Sequence, residues 1–220
     1  SDFASLCPGL FSSSLTNHGT IHQRIDEASL LWMMVKKSNG KILEIGRAAG
    51  GSTILLLGAS GDRNVVSIDR DPRQLTIANK VFNKSDVKKR ITLYNQSSRK
   101  NINIDTYGFL FVDGDHSYDG VCFDIARYWN QLENNSKIPS IAVFHDAQKN
   151  PVTYVEPVER ALNELLTENA AERITSWGAQ LAVKKTKDID TKKWHQKIDE
   201  EFWINQNSYL YNNQVNPVIK

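Results

Sequence analysis

Short apolar runs alternate along the chain with longer segments in which apolar residues recur at the helical period. The short runs predict buried strands, and the longer periodic segments predict amphipathic helices. The predicted strands are residues 41–45, 64–68, 91–94, 109–112 and 140–144. The predicted helices are residues 21–37, 52–57, 72–82, 118–132 and 156–166. Strands that alternate with helices are typical of βαβ units, in which right-handed crossovers place helices on both faces of a parallel sheet.

The pattern changes near the end of the chain. Residues 173–177 and 180–184 are strand-like runs separated by Gly178 and Ala179, which predicts a hairpin and so one antiparallel strand. We predict an α/β fold with a Rossmann-like, doubly wound sheet of seven strands, mostly parallel with one antiparallel strand. The expected division is an irregular N-terminal arm (1–24), the sheet domain (25–185), and a C-terminal helix and tail (186–220). Within the last part, residues 188–202 are predicted to form a charged amphipathic helix with Trp194, Ile198 and Phe202 on one side.

Composition and charge narrow the range of partners. The chain has 220 residues, of which 40% are hydrophobic and 24% charged, and its formal net charge is +2. Basic pairs are scattered and are not interleaved with aromatic residues, so neither a nucleic-acid nor a membrane partner is expected. The apolar runs are also far shorter than the ~20 residues needed to span a bilayer.

Cysteine usage indicates the redox setting. Cys7 and Cys122 are the two cysteines, and neither belongs to a CxxC pair. This spacing predicts neither a disulfide framework nor a zinc site, so a reducing, cytoplasmic location is expected. Aromatic residues within 203–211 could pack on a second subunit, which leaves a homo-oligomer open.

A glycine-rich turn follows the first predicted strand, in the sequence KILEIGRAAGGST over residues 41–53. Such a strand–turn–helix junction brings backbone N–H groups close to a small polar ligand. Gly46, Ala48 and Gly51 differ at one position from the dinucleotide fingerprint GxGxxG, which is a weak signal by itself. Glu44 lies two residues before the first glycine, where a carboxylate would repel a diphosphate but favour a cationic amino-acid or sulfonium ligand. The turn therefore favours S-adenosylmethionine over NAD.

Polar side chains follow every predicted strand, at the edge where ligands of open α/β sheets bind. Asp69 ends the second strand 18 residues after Gly51 (69 − 51), a spacing that suits hydrogen bonds to ribose hydroxyls. The later strand ends carry residues 95–98, then Asp113, Asp115 and His116, and finally His145 and Asp146. Carboxylates and imidazoles of this kind can ligate a metal or move a proton.

Structural roles are alternatives for several of these residues. Asp69 could form a turn before Pro72, and Asp115 could cap the next helix. His116 could be a surface residue of a turn, and His145 could be a hydrogen-bonded core residue.

Four segments in order, LEIGRAAGGST, VVSIDRD, FVDGDHSYDGVCFDI and VFHD, resemble the class I S-adenosylmethionine-dependent methyltransferases. The closest branch by these motifs contains metal-dependent sugar and macrolide O-methyltransferases and relatives of cephalosporin hydroxylase-associated proteins. The resemblance covers about residues 25–184, and DGDHSY is its most specific segment.

The resemblance implies a role for each matching residue. The methionine part of the cofactor would contact Glu44, Gly46, Gly50 and Ser52, the ribose Asp69 and Arg70, and the adenine Ser97 and its neighbours. Asp113, also beside the cofactor, and Asp146 would ligate a divalent metal, and His116 with Asp115 would carry the acid–base chemistry. One departure is His145 before Asp146, where the family has a second carboxylate or an Asp-Asn pair.

The expected function is O-methyl transfer from S-adenosylmethionine to a small hydroxylated molecule, with assistance by Mg²⁺ left open. A non-catalytic nucleotide-binding protein of the same fold and an NAD-dependent oxidoreductase remain alternatives. The N-terminal arm and the loop 148–155 are candidate covers for the acceptor.

Overall fold

Seven strands form one sheet in the computed structural model, which describes residues 2–11, 20–73, 76–134, 137–148 and 156–199. The strands are β1 Ile42–Ile45, β2 Val65–Asp69, β3 Ile91–Asn95, β4 Phe109–Val112, β5 Ile141–Phe144, β6 Ala171–Trp177 and β7 Gln180–Lys185. Their order is β3-β2-β1-β4-β5-β7-β6, and β7 runs antiparallel to both of its neighbours. The remaining neighbours pair in parallel, which confirms the predicted fold class.

Helices cover both faces of the sheet. They are α1 Phe3–Leu10, α2 Ile25–Lys37, α3 Gly51–Ala59, α4 Thr76–Phe82, α5 Ser85–Lys88, α6 Tyr118–Tyr128, α7 Glu156–Thr167 and α8 Thr191–His195, with a 3₁₀ turn at Trp129–Gln131. Alternate strand residues face opposite layers, so Ile42 packs with the α1, α2 and α3 side while Leu43 packs with the α6, α7 and α8 side. Among the described residues, no helix combines the length and apolarity that crossing a bilayer requires.

The five predicted parallel strands begin and end within one residue of the observed ones. Helix boundaries differ more from their predicted positions. The helix predicted from residue 21 begins at Ile25, because the Glu27 carboxylate accepts a hydrogen bond from the Arg24 backbone N–H at 2.9 Å and fixes the start there. The helix predicted over 118–132 turns into the 3₁₀ segment after Tyr128.

The sequence predicts an irregular N-terminal arm, but part of this arm forms the helix α1. α1 begins where the Asp2 carboxylate accepts a hydrogen bond from the Ser5 N–H at 2.8 Å. Leu10 is fully buried, and Phe3 packs on Trp32 with 5.7 Å between ring centroids. Burial of these side chains against α2 and α3 stabilises a helix in a composition that predicts none, and the rest of the arm up to residue 19 lies outside the described residues.

The C-terminal helix is shorter than predicted. α8 is capped by Asp190, whose carboxylate accepts hydrogen bonds from the N–H groups of Lys192 and Lys193, and it ends at His195. Trp194 and Ile198 are both buried, as their predicted common side requires. Phe202, the tail beyond it and most of the loop 148–155 lie outside the described residues.

Candidate active site

A cavity of about 340 Å³ opens at the carboxyl ends of β1, β2 and β4. The glycine turn, the end of β2, the loop after β3, the end of β4 and the segment Thr20–Gln23 surround it. The predicted site residues that line this cavity are Gly46, Ser52, Asp69, Arg70, Ser97, Asp113 and Asp115. The volume lies at the lower end of the range for small-molecule sites.

The glycine turn requires unusual backbone angles. Gly46 and Gly50 have φ of 91° and 90°, and Ala48 between them has φ of 45°, in the left-handed region that glycine adopts most readily. A side chain at residue 46 could not be accommodated, because its Cβ would lie 2.0 Å from the Asp113 carbonyl oxygen. The turn therefore lies directly against the end of β4.

Glu44 does not reach the cavity surface. Its carboxylate is fully buried and accepts hydrogen bonds from the hydroxyls of Ser52 at 2.5 Å, Thr53 at 2.6 Å and Ser67 at 2.5 Å. Burial raises the pKa of Glu44. Glu44 thus holds the first turn of α3 in place through these hydroxyls. Of the four residues expected beside the methionine part, Glu44 and Gly50 do not line the cavity.

The Asp69 carboxylate accepts hydrogen bonds from backbone N–H groups of the turns after β1 and β2. Oδ2 accepts hydrogen bonds from the N–H groups of Arg47 and Ala48, both at 2.7 Å, and Oδ1 accepts one from Asp71 at 2.7 Å. Asp69 therefore holds the glycine turn in place, whether or not it also contacts a ribose.

Arg47 was missed by sequence reasoning. Its buried guanidinium donates hydrogen bonds to the Ser67 carbonyl and hydroxyl at 3.1 Å and to Asn95 Oδ1 at 2.5 Å, which ties the turn to β2 and β3. Burial lowers its pKa, against the opposing effect of Glu44 and Asp69. The sequence did carry a signal for Arg47, because it is the one charged residue in a turn that otherwise contains only glycine and alanine.

Asp115 lies at the cavity, but its carboxylate is engaged. Oδ1 accepts a hydrogen bond from the Ser117 N–H at 3.0 Å, and Oδ2 forms an ion pair with Arg99. Burial acts to raise the pKa of Asp115, but the contacts with Ser117 and Arg99 outweigh burial and lower it. These contacts make Asp115 a carboxylate that positions the loops after β3 and β4.

Four ionisable side chains meet at the ends of β4 and β5. His116 lies between two carboxylates, with Nε2 at 3.3 Å from Asp113 Oδ1 and Nδ1 at 3.1 Å from Asp146 Oδ2. His145 Nδ1 is 3.3 Å from Asp113 Oδ1 and 3.4 Å from Asp146 Oδ2. We call Asp113, His116, His145 and Asp146 the acid–imidazole cluster. Asp113 belongs to both the cluster and the cavity wall, so the two form one continuous site.

Glu27 supports this cluster from helix α2. Its Oε2 lies 3.4 Å from His145 Nε2, and its Oε1 accepts a hydrogen bond from the Ala179 N–H at 2.8 Å. The sequence placed this residue inside the helix predicted over 21–37, which gave no signal for a role at the site. Its partner His145 is 118 positions away, a contact that periodicity does not predict.

The charges of the cluster depend on one another. Burial acts to lower the pKa of His145, but Asp113, Asp146 and Glu27 outweigh it and raise the pKa to about 12. The hydrogen bond to Asp113 raises the pKa of His116 against the effect of burial. Burial likewise acts to raise the pKa of Asp113, but the two imidazoles outweigh it and lower it. The cluster is therefore a network of paired opposite charges.

The cluster also has unfilled polar capacity. The close contacts of His145 Nδ1 lack hydrogen-bond geometry, and among the described residues neither this atom nor Asp146 Oδ1 has a hydrogen-bond partner. Asp146 has φ of 50°, a strained angle of the kind found at functional sites. One ligand atom each from Asp113, His145 and Asp146 lies within 4.8 Å of the others, a spacing that could hold a metal ion.

A family model described as a methyltransferase domain matches residues 43–147, which contain the glycine turn, the cavity-lining strand ends and the acid–imidazole cluster. The matched stretch, a little under half of the chain, is similar to a methyltransferase domain. This confirms the class I resemblance at the level of domain and fold, whereas the finer branch stays a prediction. No curated protein matches the chain.

Solved structures similar to this chain share its fold at low sequence identity. The cofactor-bound protein Rv0187 from MTB is 16% identical with a TM-score of 0.63, over 86% of this chain and 92% of its own. An O-methyltransferase from Bacillus cereus in complex with S-adenosylhomocysteine is 16% identical with a TM-score of 0.55, over 74% and 82%. The O-methyltransferase TomG from Streptomyces achromogenes, involved in tomaymycin synthesis and solved with S-adenosylmethionine, is 18% identical with a TM-score of 0.53, over 75% and 82%.

Proposed function

We propose that this protein is an S-adenosylmethionine-dependent O-methyltransferase that acts on a small hydroxylated molecule. The observation that carries the proposal is the position of Asp113, which lies in the wall of the cavity and in the acid–imidazole cluster at once. A donor bound along the glycine turn would end beside groups that can take a proton from a hydroxyl. Structures of similar fold bound to S-adenosylmethionine and S-adenosylhomocysteine support this choice of cofactor.

The cavity wall supplies contacts for each part of the donor. In this proposal the methionine part lies against Gly46 and Ser52 at the start of α3, with Glu44 acting through the Ser52 hydroxyl. The ribose would lie beside Asp69 and Arg70, and the adenine beside Ser97. Gly50 contributes through the left-handed backbone of the turn rather than through a contact.

Methyl transfer is an in-line displacement in which the methyl carbon forms a bond to the acceptor oxygen as its bond to sulfur breaks. Because a hydroxyl is a poor nucleophile, its proton must be removed, and His116 is our candidate base. His116 is half-buried between Asp113 and Asp146, which orient its ring. It can accept the proton only in its neutral form, so the proposed activity increases as pH rises through the pKa of His116.

Asp113 and Asp146 would ligate a divalent metal, with His145 as the third donor once it has lost a proton, as a ligating imidazole must. A metal at this site would lower the pKa of the acceptor hydroxyl. Two carboxylate oxygens suit Mg²⁺, whereas an imidazole is a ligand that transition metals prefer. The test therefore includes Mn²⁺ beside Mg²⁺.

Calorimetry with S-adenosylhomocysteine, S-adenosylmethionine and NAD tests the cofactor. We expect the two adenosyl compounds to bind and NAD not to bind. Binding of NAD alone would refute the proposal in favour of the oxidoreductase alternative. If methyl transfer to a hydroxylated acceptor is found, Asp113→Ala should lower it by about a hundredfold or more, because it removes a carboxylate from both the cavity and the cluster. Equal turnover of this variant and the wild type, with EDTA, Mg²⁺ or Mn²⁺, would exclude the role of Asp113.

Three further proposals rest on the sequence alone. They are a cytoplasmic location, the possibility of a homo-oligomer, and a division of the chain at residues 24 and 185. A small-molecule acceptor is part of the proposal, and its identity depends on loops of which 149–155 lies outside the described residues.

A further inference from the structure

The His145 ring has carboxylates on both of its sides. On one side, Nε2 is within hydrogen-bonding distance of Glu27 Oε2, at 3.4 Å. On the other side, Nδ1 lies 3.3 Å from Asp113 Oδ1 and 3.4 Å from Asp146 Oδ2, but among the described residues it makes a hydrogen bond with neither. The two ring nitrogens therefore differ, because Nε2 has its own acceptor and Nδ1 faces two carboxylates at nearly equal distances.

Glu27 is itself held in a fixed position at the start of α2. Its side chain is only 4% exposed. Oε1 accepts a hydrogen bond from the Ala179 N–H at 2.8 Å, and Oε2 accepts one from the Arg24 N–H at 2.9 Å. Gly178 lies directly against it, since a Cβ at that residue would come within 2.5 Å of Glu27 Oε1. A carboxylate fixed in this way also fixes the orientation of the imidazole next to it.

The atoms that face His145 Nδ1 are spaced like the ligands of one metal ion. Two ligands bonded to a metal at about 2.1 Å lie about 3.0 Å apart at a right angle and about 3.4 Å apart at the tetrahedral angle. The distances of 3.3 and 3.4 Å from Nδ1 to the two carboxylates fall within this range. Asp146 is only 8% exposed, and its Oδ1 has no hydrogen-bond partner among the described residues. Because an unpaired buried carboxylate oxygen is costly, it indicates a cation at this point.

We propose that Glu27 is a positioning residue that keeps a proton on His145 Nε2, so that Nδ1 joins the two carboxylates in binding a transition metal in preference to Mg²⁺. A ligating histidine commonly donates its other N–H to a carboxylate, which fixes its tautomer and its orientation. Transition metals bind imidazole well, whereas Mg²⁺ takes oxygen ligands. The ion would displace the proton of Nδ1.

The inference rests on the proposed function and deepens it, since it assigns the class of metal at the same site. It also gives a role to helix α2, at a residue 16 positions before the matched family segment begins (43 − 27).

Calorimetry with Co²⁺ and with Mg²⁺, on the full chain freed of metal by EDTA, tests the preference. We expect the wild type to bind Co²⁺ more tightly than Mg²⁺. Glu27→Gln should lower the affinity for Co²⁺ by about tenfold to a hundredfold, the usual effect of removing the partner of a ligating histidine. The affinity for Mg²⁺ should change far less, because Mg²⁺ depends on the carboxylates. A purely structural role of Glu27 would not separate the two ions.

His145→Asp tests the ligand itself, because it replaces the imidazole by a third carboxylate. This variant should bind Mg²⁺ at least as well as the wild type and should narrow the preference for Co²⁺. The visible absorption of bound Co²⁺ should change as well, since an oxygen replaces a nitrogen among its ligands. Because this variant leaves Glu27 intact, it decides the preference even if thermal melting shows that Glu27→Gln fails to fold.

The chain provides a matched control for the change from carboxylate to amide. Asp190 also accepts backbone hydrogen bonds at the start of a helix, but it belongs to neither the cavity nor the acid–imidazole cluster. Asp190→Asn should leave the affinities for both ions unchanged.

Three results would overturn the inference. Binding of neither ion by the wild type would mean that protonated His145 itself neutralises the two carboxylates. Binding of Mg²⁺ as tightly as Co²⁺ would assign a site of oxygen ligands alone. Unchanged Co²⁺ affinity in a folded Glu27→Gln variant would remove the role of Glu27. The proposed function is tested separately by binding of S-adenosylhomocysteine without added metal, so failure of that binding is distinguished from all three.

Discussion

Ala48 adopts a backbone conformation that alanine rarely takes. It holds φ of 45° between Gly46 and Gly50, whose φ angles are also positive, and its N–H donates a hydrogen bond to Asp69. The left-handed region costs an L-residue roughly 1–2 kcal/mol. Strain of this kind at a cavity wall persists because the surrounding hydrogen bonds determine the turn.

Replacing Ala48 by glycine should therefore leave the free energy of unfolding unchanged or raise it by up to about 1 kcal/mol, since relief of strain offsets the greater entropy of the unfolded chain. Ala49→Gly is the matched control. Ala49 is buried and has no positive φ, so its replacement should lower stability by roughly 1 kcal/mol. Urea unfolding measures both variants, and equal destabilisation by the two would contradict the strain assigned to Ala48.

At the scale of elements, α6 holds the loop after β3 against the cavity. The Asp124 carboxylate, buried on α6, accepts a hydrogen bond from the Ser98 hydroxyl at 2.8 Å. The Tyr128 hydroxyl, one turn later, donates to the Ser98 carbonyl at 2.6 Å. Two contacts from one helix thus position the residues beside which we propose the adenine to lie.

Asp124 makes this connection sensitive to pH. Burial raises its pKa to about 7, above the usual value of about 3.9 in an unfolded chain, so the stability it contributes is full below pH ~3.9 and is lost as pH rises through 7. An asparagine side chain at this position would stay neutral and could still accept from Ser98. The variant Asp124→Asn should match wild-type stability at about pH 4 and exceed it by on the order of 1–3 kcal/mol at about pH 8.

Urea unfolding across this pH range measures the difference between the two proteins. Asp62→Asn, at an exposed turn, is the matched control for the substitution itself. A stability difference between Asp124→Asn and the wild type that stays constant across the pH range would exclude the proposed titration.

At the scale of the whole molecule, the cavity joins segments that are far apart in the sequence. Its wall runs from Thr20 before α2 to Asp115 after β4, and the cluster beside it extends to Asp146 after β5. A ligand in this cavity would contact both the N-terminal segment and the sheet edge, and so would oppose unfolding of the entire domain.

Saturating S-adenosylhomocysteine should therefore raise the melting temperature. At a concentration about one hundred times the Kd the gain is about 2.7 kcal/mol, which corresponds to roughly 5–10 °C for a domain of this size. A thermal scan with NAD at the same concentration is the control and should show no shift. The reverse pattern would favour the oxidoreductase.

Local chemistry was sufficient to predict most of the fold. The apolar runs of β1, β2 and β4 and the Gly178 hairpin are short-range signals, and they predicted the strands and their directions. α1 could not be predicted in the same way, because its helix depends on packing against α2 and α3 rather than on its own composition.

The candidate site was predicted in part, for a related reason. Residue type and position at a strand end identified Asp113, His116 and Asp146, which the structure brings within hydrogen-bonding range. A position at a strand end does not reveal which hydrogen bonds a carboxylate already accepts from the protein. Glu44 and Asp69 were expected to face a ligand, yet their oxygens accept hydrogen bonds from the protein itself.

The sequence by itself determined the alternation of strands and helices, the glycine turn and the acidic strand ends, because these depend on periodicity and on residues a few positions apart. Only the tertiary structure decided which side chains are free to meet a ligand. It brought Glu27 to His145 and the backbone of Thr20 and Ile21 to the start of α3, and it buried Glu44 beneath that helix. Such pairings depend on distances across the folded core, which packing sets and local sequence does not encode.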